Sequence, residues 1–179
     1  MTRLIPLIIF LALSLALALM LFQQTVPKAS NSASNQPFPE IPLTALDGKT
    51  QWHIESLQGH VTIVNFFASW CEPCAAEMPE MAALKKQFSK ARFIGVAWND
   101  EPQTLRQWLK KHGNPFDSIW RDKTGDATMK LGIKGIPETF IVDSQGITRY
   151  RLSSPLTNGL REGEVDALMT QLLTENTHE

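Results

Sequence analysis

Apolar residues concentrate in a few runs whose lengths differ in meaning. The first, Leu4 to Phe22, is broken only by Pro6 and Ser14, and Arg3 is the only charge before Lys28. Its 19 residues would span about 28 Å as a helix, close to the ~30 Å of a bilayer core. Residues 1–22 are therefore expected to be a transmembrane anchor, with a signal segment as the alternative, since a cleaved leader normally has an apolar stretch of only about 7–15 residues. Residues 23–42 are rich in Ser, Asn, Pro and Gln and read as a flexible linker. From Leu43 the pattern is that of a globular domain, 43–179.

Within that domain the runs are short and rich in β-branched and aromatic residues. His60–Phe67 (HVTIVNFF) and Phe93–Trp98 (FIGVAW) have no polar alternation, so both faces should be buried, as in central strands. A helix is expected between them, to about Ser89. A second, capped by Asn99-Asp100, should reach His112 and end at Gly113. A short strand near Ser118–Trp120 and a small helix over Asp126–Leu131 follow. Thr139–Val142 and Ile147–Leu152 flank Asp143-Ser144-Gln145-Gly146 as a hairpin, and Glu162–Leu173 reads as a last helix. Asp47-Gly48 marks an earlier N-terminal hairpin turn. Strand–helix alternation closed by a hairpin and a helix predicts an α/β fold, a mixed central sheet flanked by helices.

Net charge is −1, which points away from nucleic acid. The chemistry lies in Trp70-Cys71-Glu72-Pro73-Cys74, which holds the chain's only two cysteines. Placed where a strand gives way to a helix, residues three apart share a helix face and can form a disulfide. The first thiol would sit at the positive end of the helix dipole, which favours thiolate. A structural staple closing so short a loop would remove only about 2 kcal/mol of chain entropy. Structural zinc needs four ligands, and His53, His60, His112 and His178 are scattered, so no metal site is expected. Cys71 and Cys74 are read as a redox pair that needs no cofactor.

Two further features stand near that pair. At 100° per residue, Glu77, Met81, Leu84 and Phe88 form one stripe, which puts a carboxylate on an apolar face one turn after Cys74. Burial would raise its pKa and suit it to proton transfer, whereas Glu80 reads as solvent-facing. Pro79 falls inside the same helix. Ile136-Pro137 leads into a strand, where a cis peptide in a tight turn would resolve the missing N–H.

The set Trp70-Cys71-x-x-Cys74, Pro79 and Pro137 resembles the thioredoxin superfamily, over about Leu43 to Leu173. The finer resemblance is to the membrane-anchored thiol:disulfide interchange proteins of cytochrome c maturation (the DsbE/CcmG type). It is carried by Asn65-Phe66-Phe67-Ala68-Ser69-Trp70-Cys71, by Glu77, by Gly113-Asn114-Pro115-Phe116 and by Gly135-Ile136-Pro137-Glu138. Asn65 stands where cytoplasmic thioredoxins have a buried aspartate. Glu72-Pro73 is instead closer to the extracytoplasmic thiol-disulfide reductases of Gram-positive bacteria. The resemblance implies catalysis by Cys71, Cys74 and Glu77, with Trp70, Ile136 and Pro137 binding substrate. It implies a thiol:disulfide oxidoreductase held by its N-terminal helix in a bacterial inner membrane, acting on the periplasmic side. Its substrate would be apocytochrome c or a haem-ligation thiol protein, and a transmembrane thiol reductase would supply electrons. A periplasmic disulfide oxidase or isomerase, or a copper-delivery protein of the same fold, are the alternatives.

Overall fold

The computed structural model describes residues 32–176, together with Phe10 and residues 13–17. The expected anchor and the first part of the expected linker thus lie largely outside the described residues. Among the described residues, no helix is long and apolar enough to cross a membrane.

The strands expected to be buried on both faces form the middle of the molecule. Thr62–Phe67 (β3) is buried at every position, and Arg92–Trp98 (β4) is buried except at its two ends. Between them runs Glu72–Gln87 (α1), and after β4 comes Pro102–His112 (α2). Ser118–Asp122 (β5), Asp126–Lys130 (α3), Glu138–Val142 (β6) and Ile147–Leu152 (β7) follow. β3, β4 and β5 are mutually parallel, while β6 and β7 are antiparallel additions on the other side of β3. The mixed sheet expected from the sequence has seven strands once Ser32–Pro37 (β1) and Thr44–Ala45 (β2) close its two edges, beside β7 and β5.

Side chains on β3 alternate between two cores. Ile63 and Phe67 join Phe93, Ala97 and Ile141 under Met78, Met81 and Leu84 of α1. Val64 and Phe66 join Ile94, Val96 and Phe140 against Phe38, Ile41, Leu43, Trp52 and Leu57. That second core corrects the expected domain start at Leu43. The later half of the expected linker is folded: β1 lies in the sheet, and Phe38 and Ile41 are buried. The composition of this stretch hides two large apolar residues that cap the sheet face.

Two other details differ from expectation. Asn99-Asp100 does not cap α2; Glu101 holds that position with no side-chain bond, and Pro102 occupies the first turn. Helix α2 does end at Gly113, whose φ of 93° suits a residue without Cβ. Around Asp47-Gly48 the chain doubles back, with one antiparallel bridge between Thr44 and Gln51. The last helix is interrupted: a turn at Asn158–Leu160 and a wider one at Arg161–Val165, non-helical at Gly163, precede Asp166–Glu175 (α4). Gly95 in β4 is required by space, since a Cβ there would lie 2.8 Å from the Phe116 ring and 2.9 Å from the Phe67 ring.

Candidate active site

The site forms where β3 ends. Parallel β3 and β4 both point their C-terminal ends to one rim of the sheet, the usual location for chemistry in open α/β sheets. β6 runs the opposite way, so its N-terminal end, with Pro137 just before it, reaches the same rim. The Ile136–Pro137 bond is cis.

Cys71 is the N-cap of α1 and Cys74 lies in its first turn; the two form a disulfide with their Cα atoms 5.3 Å apart. Cys71 Sγ accepts the Cys74 backbone N–H at 3.2 Å. Once the disulfide is reduced, that N–H and the dipole of a 16-residue helix both favour a thiolate on Cys71. Cys71 Sγ also lies 3.7 Å from the Ile136 carbonyl oxygen. Burial separates the two sulfurs: Cys71 is 5% exposed and Cys74 0%. Of the two residues only Cys71 keeps any exposure toward an incoming disulfide.

Trp70 flanks the pair and is 57% exposed, a large apolar surface at the rim. Its Nε1 donates to the Asn99 carbonyl at 3.4 Å and its ring meets Trp98 edge-on. Asn99 has a φ of 46°, a left-handed conformation that asparagine tolerates better than most residues. Its neighbour Asp100 does not serve a helix but the redox loop, accepting from both the N–H and the hydroxyl of Ser69.

Beneath Cys74 the stripe read from the sequence is present, with Glu77, Met81, Leu84 and Phe88 all buried. Glu77 is 1% exposed, and burial pushes its carboxyl up to about 7 against two hydrogen bonds that hold it down. Those bonds come from the Leu156 N–H to Oε2 and from Asn65 Nδ2 to Oε1, each 2.9 Å long. Asn65 Nδ2 also donates to Thr139 Oγ1 at 3.0 Å, while Asn65 Oδ1 has no partner. Glu80 is partly exposed and pairs with Arg161.

The structure thus brings Trp70, Cys71, Cys74, Ile136 and Pro137 to one rim, with Glu77 below. Sequence reasoning does not reach Asp100, the Leu156 N–H or the environment of Glu138. Glu138 is buried, bonded to the Arg151 guanidinium and to the Ser153 hydroxyl at 3.0 Å. Arg151 in turn donates to the Leu131 and Gly132 carbonyls, tying the strand after Pro137 to the turn before it. A period-2 strand pattern shows that residue 138 is inward-facing only when its partner at 151 is known. Among the described residues, no group of three or more His, Cys, Asp or Glu is placed to hold a metal ion.

A disulfide at a helix N-terminus, one sulfur reachable and one sealed, beside a cis-proline turn, defines a dithiol oxidoreductase of thioredoxin-like fold. Comparison with known proteins agrees. The AhpC/TSA family model matches residues 34–151. The chain is 36% identical over 171 residues to the thiol:disulfide interchange protein DsbE of Escherichia coli (strain K12), covering 92% of this chain and 91% of that one. It is 34% identical over 173 residues to the DsbE of Pasteurella multocida (strain Pm70), with 94% of each covered. Among solved structures, a thiol:disulfide interchange protein of the thioredoxin family from Chlorobium tepidum TLS superimposes with a TM-score of 0.62 at 27% identity, over 79% of this chain and 99% of that one. The chain belongs to the AhpC/TSA family and, within it, to the thiol:disulfide interchange proteins of the DsbE kind.

Proposed function

We propose that this protein is a reductant working outside the cytoplasmic membrane, keeping the cysteines of apocytochrome c, or of a haem-ligation thiol protein, in the dithiol state. The observation that carries the reading is the vertical order of the site: Cys71 at the rim, Cys74 sealed behind it, Glu77 one turn deeper. Cys71 thiolate attacks a substrate disulfide; one Cys71–sulfur bond forms, the substrate S–S bond breaks, and the leaving thiolate takes a proton. Glu77 takes the proton of Cys74, whose thiolate attacks the Cys71 sulfur. The Cys71–Cys74 disulfide forms and the second substrate thiol leaves. Two electrons pass to the substrate, and the oxidised pair is the state of this structure.

Trp70 and the Ile136-Pro137 turn border Cys71 and supply the contacts for the substrate chain, laid as an extended strand against the turn. The long apolar run at residues 4–22 supports a single-pass anchor in the inner membrane, with the domain on the periplasmic side. There it meets a transmembrane thiol reductase that returns the disulfide to dithiol. Residues 1–22 form the anchor, and a tether links it to the domain. The resemblance to cytochrome c maturation proteins supports the substrate class.

A Cys74→Ser variant expressed in cells stops the reaction at the mixed disulfide. Recovery of apocytochrome c or a haem-ligation protein on Cys71 supports the assignment, and recovery of neither removes it. The reduction potential of the full chain fixes the direction. A value near −270 mV, or up to roughly −200 mV, fits a reductant; one near −120 mV marks a disulfide donor instead.

A further inference from the structure

Glu77 is held by donors on both oxygens. The Leu156 N–H reaches Oε2, and Asn65 Nδ2 reaches Oε1. Both bonds suit a carboxylate. When a proton arrives, the backbone donor at Leu156 cannot turn away, so the proton settles on Oε1, facing the Asn65 amide. Two donors then point at each other unless one moves. The side chain that can move also carries the site's unpartnered acceptor: Asn65 Oδ1, buried and without a hydrogen bond.

We propose that Asn65 is a positioning residue for Glu77, a pivot whose amide turns over as the carboxyl gains or loses its proton. With Glu77 ionised, Nδ2 donates to Glu77 Oε1 and Thr139 Oγ1, as seen here. With Glu77 protonated, Oδ1 occupies the same place and accepts from the carboxyl O–H and from the Thr139 hydroxyl, which can donate as readily as accept. Either orientation makes two hydrogen bonds at the same two positions. The proton on Glu77 therefore decides between them.

Other charged groups nearby are committed elsewhere. Glu80, on the same helix, is paired with Arg161. Glu138, which alternates to the opposite face of β6 from Thr139, is paired with Arg151. Glu164, after the loop that carries Leu156, accepts from the Tyr150 hydroxyl. Cys74 is in the disulfide and does not titrate. The inference builds on the reading of Glu77 as the proton carrier, but its test needs no substrate.

The test is NMR of the isotopically labelled, oxidised full chain across the Glu77 titration, following the Asn65 side-chain amide protons. Above the midpoint they should show strong NOEs to Thr139 and Glu77 side-chain protons. Below it those NOEs should weaken severalfold and the amide shifts should move with the same midpoint. In a Glu77→Gln variant the Leu156 N–H holds the new amide oxygen, so the introduced NH2 group faces Asn65. The weak-NOE pattern should then persist at every pH. NOEs that stay strong on both sides of the midpoint would overturn the pivot, whatever the enzyme's substrate proves to be.

Discussion

The Asp100 carboxylate grips Ser69 twice, accepting its backbone N–H at 2.5 Å and its hydroxyl at 2.8 Å. Ser69 is two residues before Cys71, so the turn after β4 holds the loop that presents the redox pair. Asp100 is itself buried, which makes each lost bond costly.

Replacing Asp100 with Ala should lower stability by about 1–3 kcal/mol, since two donors on Ser69 lose a charged acceptor. Ser69→Ala removes one bond and should cost about 1 kcal/mol. Urea unfolding of the oxidised protein measures both, as a lower midpoint at unchanged slope. Equal midpoints would show that the loop is held by other contacts.

Glu77 links pH to stability with a definite sign. Its carboxyl is raised from an ordinary 4.5 to about 7 by burial, so between those values the folded protein holds a proton that the unfolded chain has released. Stability contributed by this group is full below about pH 4.5, falls through the window and is lost above about pH 7. The whole loss is on the order of 3 kcal/mol. Glu77→Gln should flatten that decline, as read from unfolding midpoints between about pH 5 and about 8.

The two sulfurs should differ sharply after reduction. Cys71 retains some exposure and faces the helix N-terminus, whereas Cys74 is sealed. Brief alkylation at neutral pH should label Cys71 at least roughly tenfold faster than Cys74, since a thiolate reacts and a buried thiol does not. Peptide mass mapping distinguishes them; equal labelling would contradict a sealed resolving cysteine.

Glu138 and Arg151 should be strongly coupled. Arg151→Met would strand a buried carboxylate with the Ser153 hydroxyl as its remaining partner, costing about 3 kcal/mol. Combining it with Glu138→Gln should recover much of that loss. A double-mutant cycle with no coupling energy would mean that the pair adds nothing to the strand after Pro137.

How far the sequence speaks depends on the range of the interaction. β3 and β4 are legible because unbroken apolar runs need burial on both faces, and Cys71, Cys74 and Glu77 are legible because helical spacing places them. The partners of Glu77 are not. Asn65 precedes it by 12 positions and Leu156 follows it by 79, and only the closed sheet brings them together. Asp100 misleads for the same reason. Next to a helix start it has the chemistry of a cap, but Ser69, 31 residues earlier, takes its carboxylate. The burial of Phe38 and Ile41 is equally hidden, because two apolar side chains in a polar stretch carry no periodicity.

The order of the strands has a consequence for where the chain begins. β1 runs antiparallel to β7, so Ser32 pairs with Arg151, which is level with Phe140 and, one strand further, Val64. Pro37 lies at the far end, beside Ile147. The first described residue of β1 therefore lies level with the middle of β3, on the side of the sheet nearer the redox rim than Pro37 is.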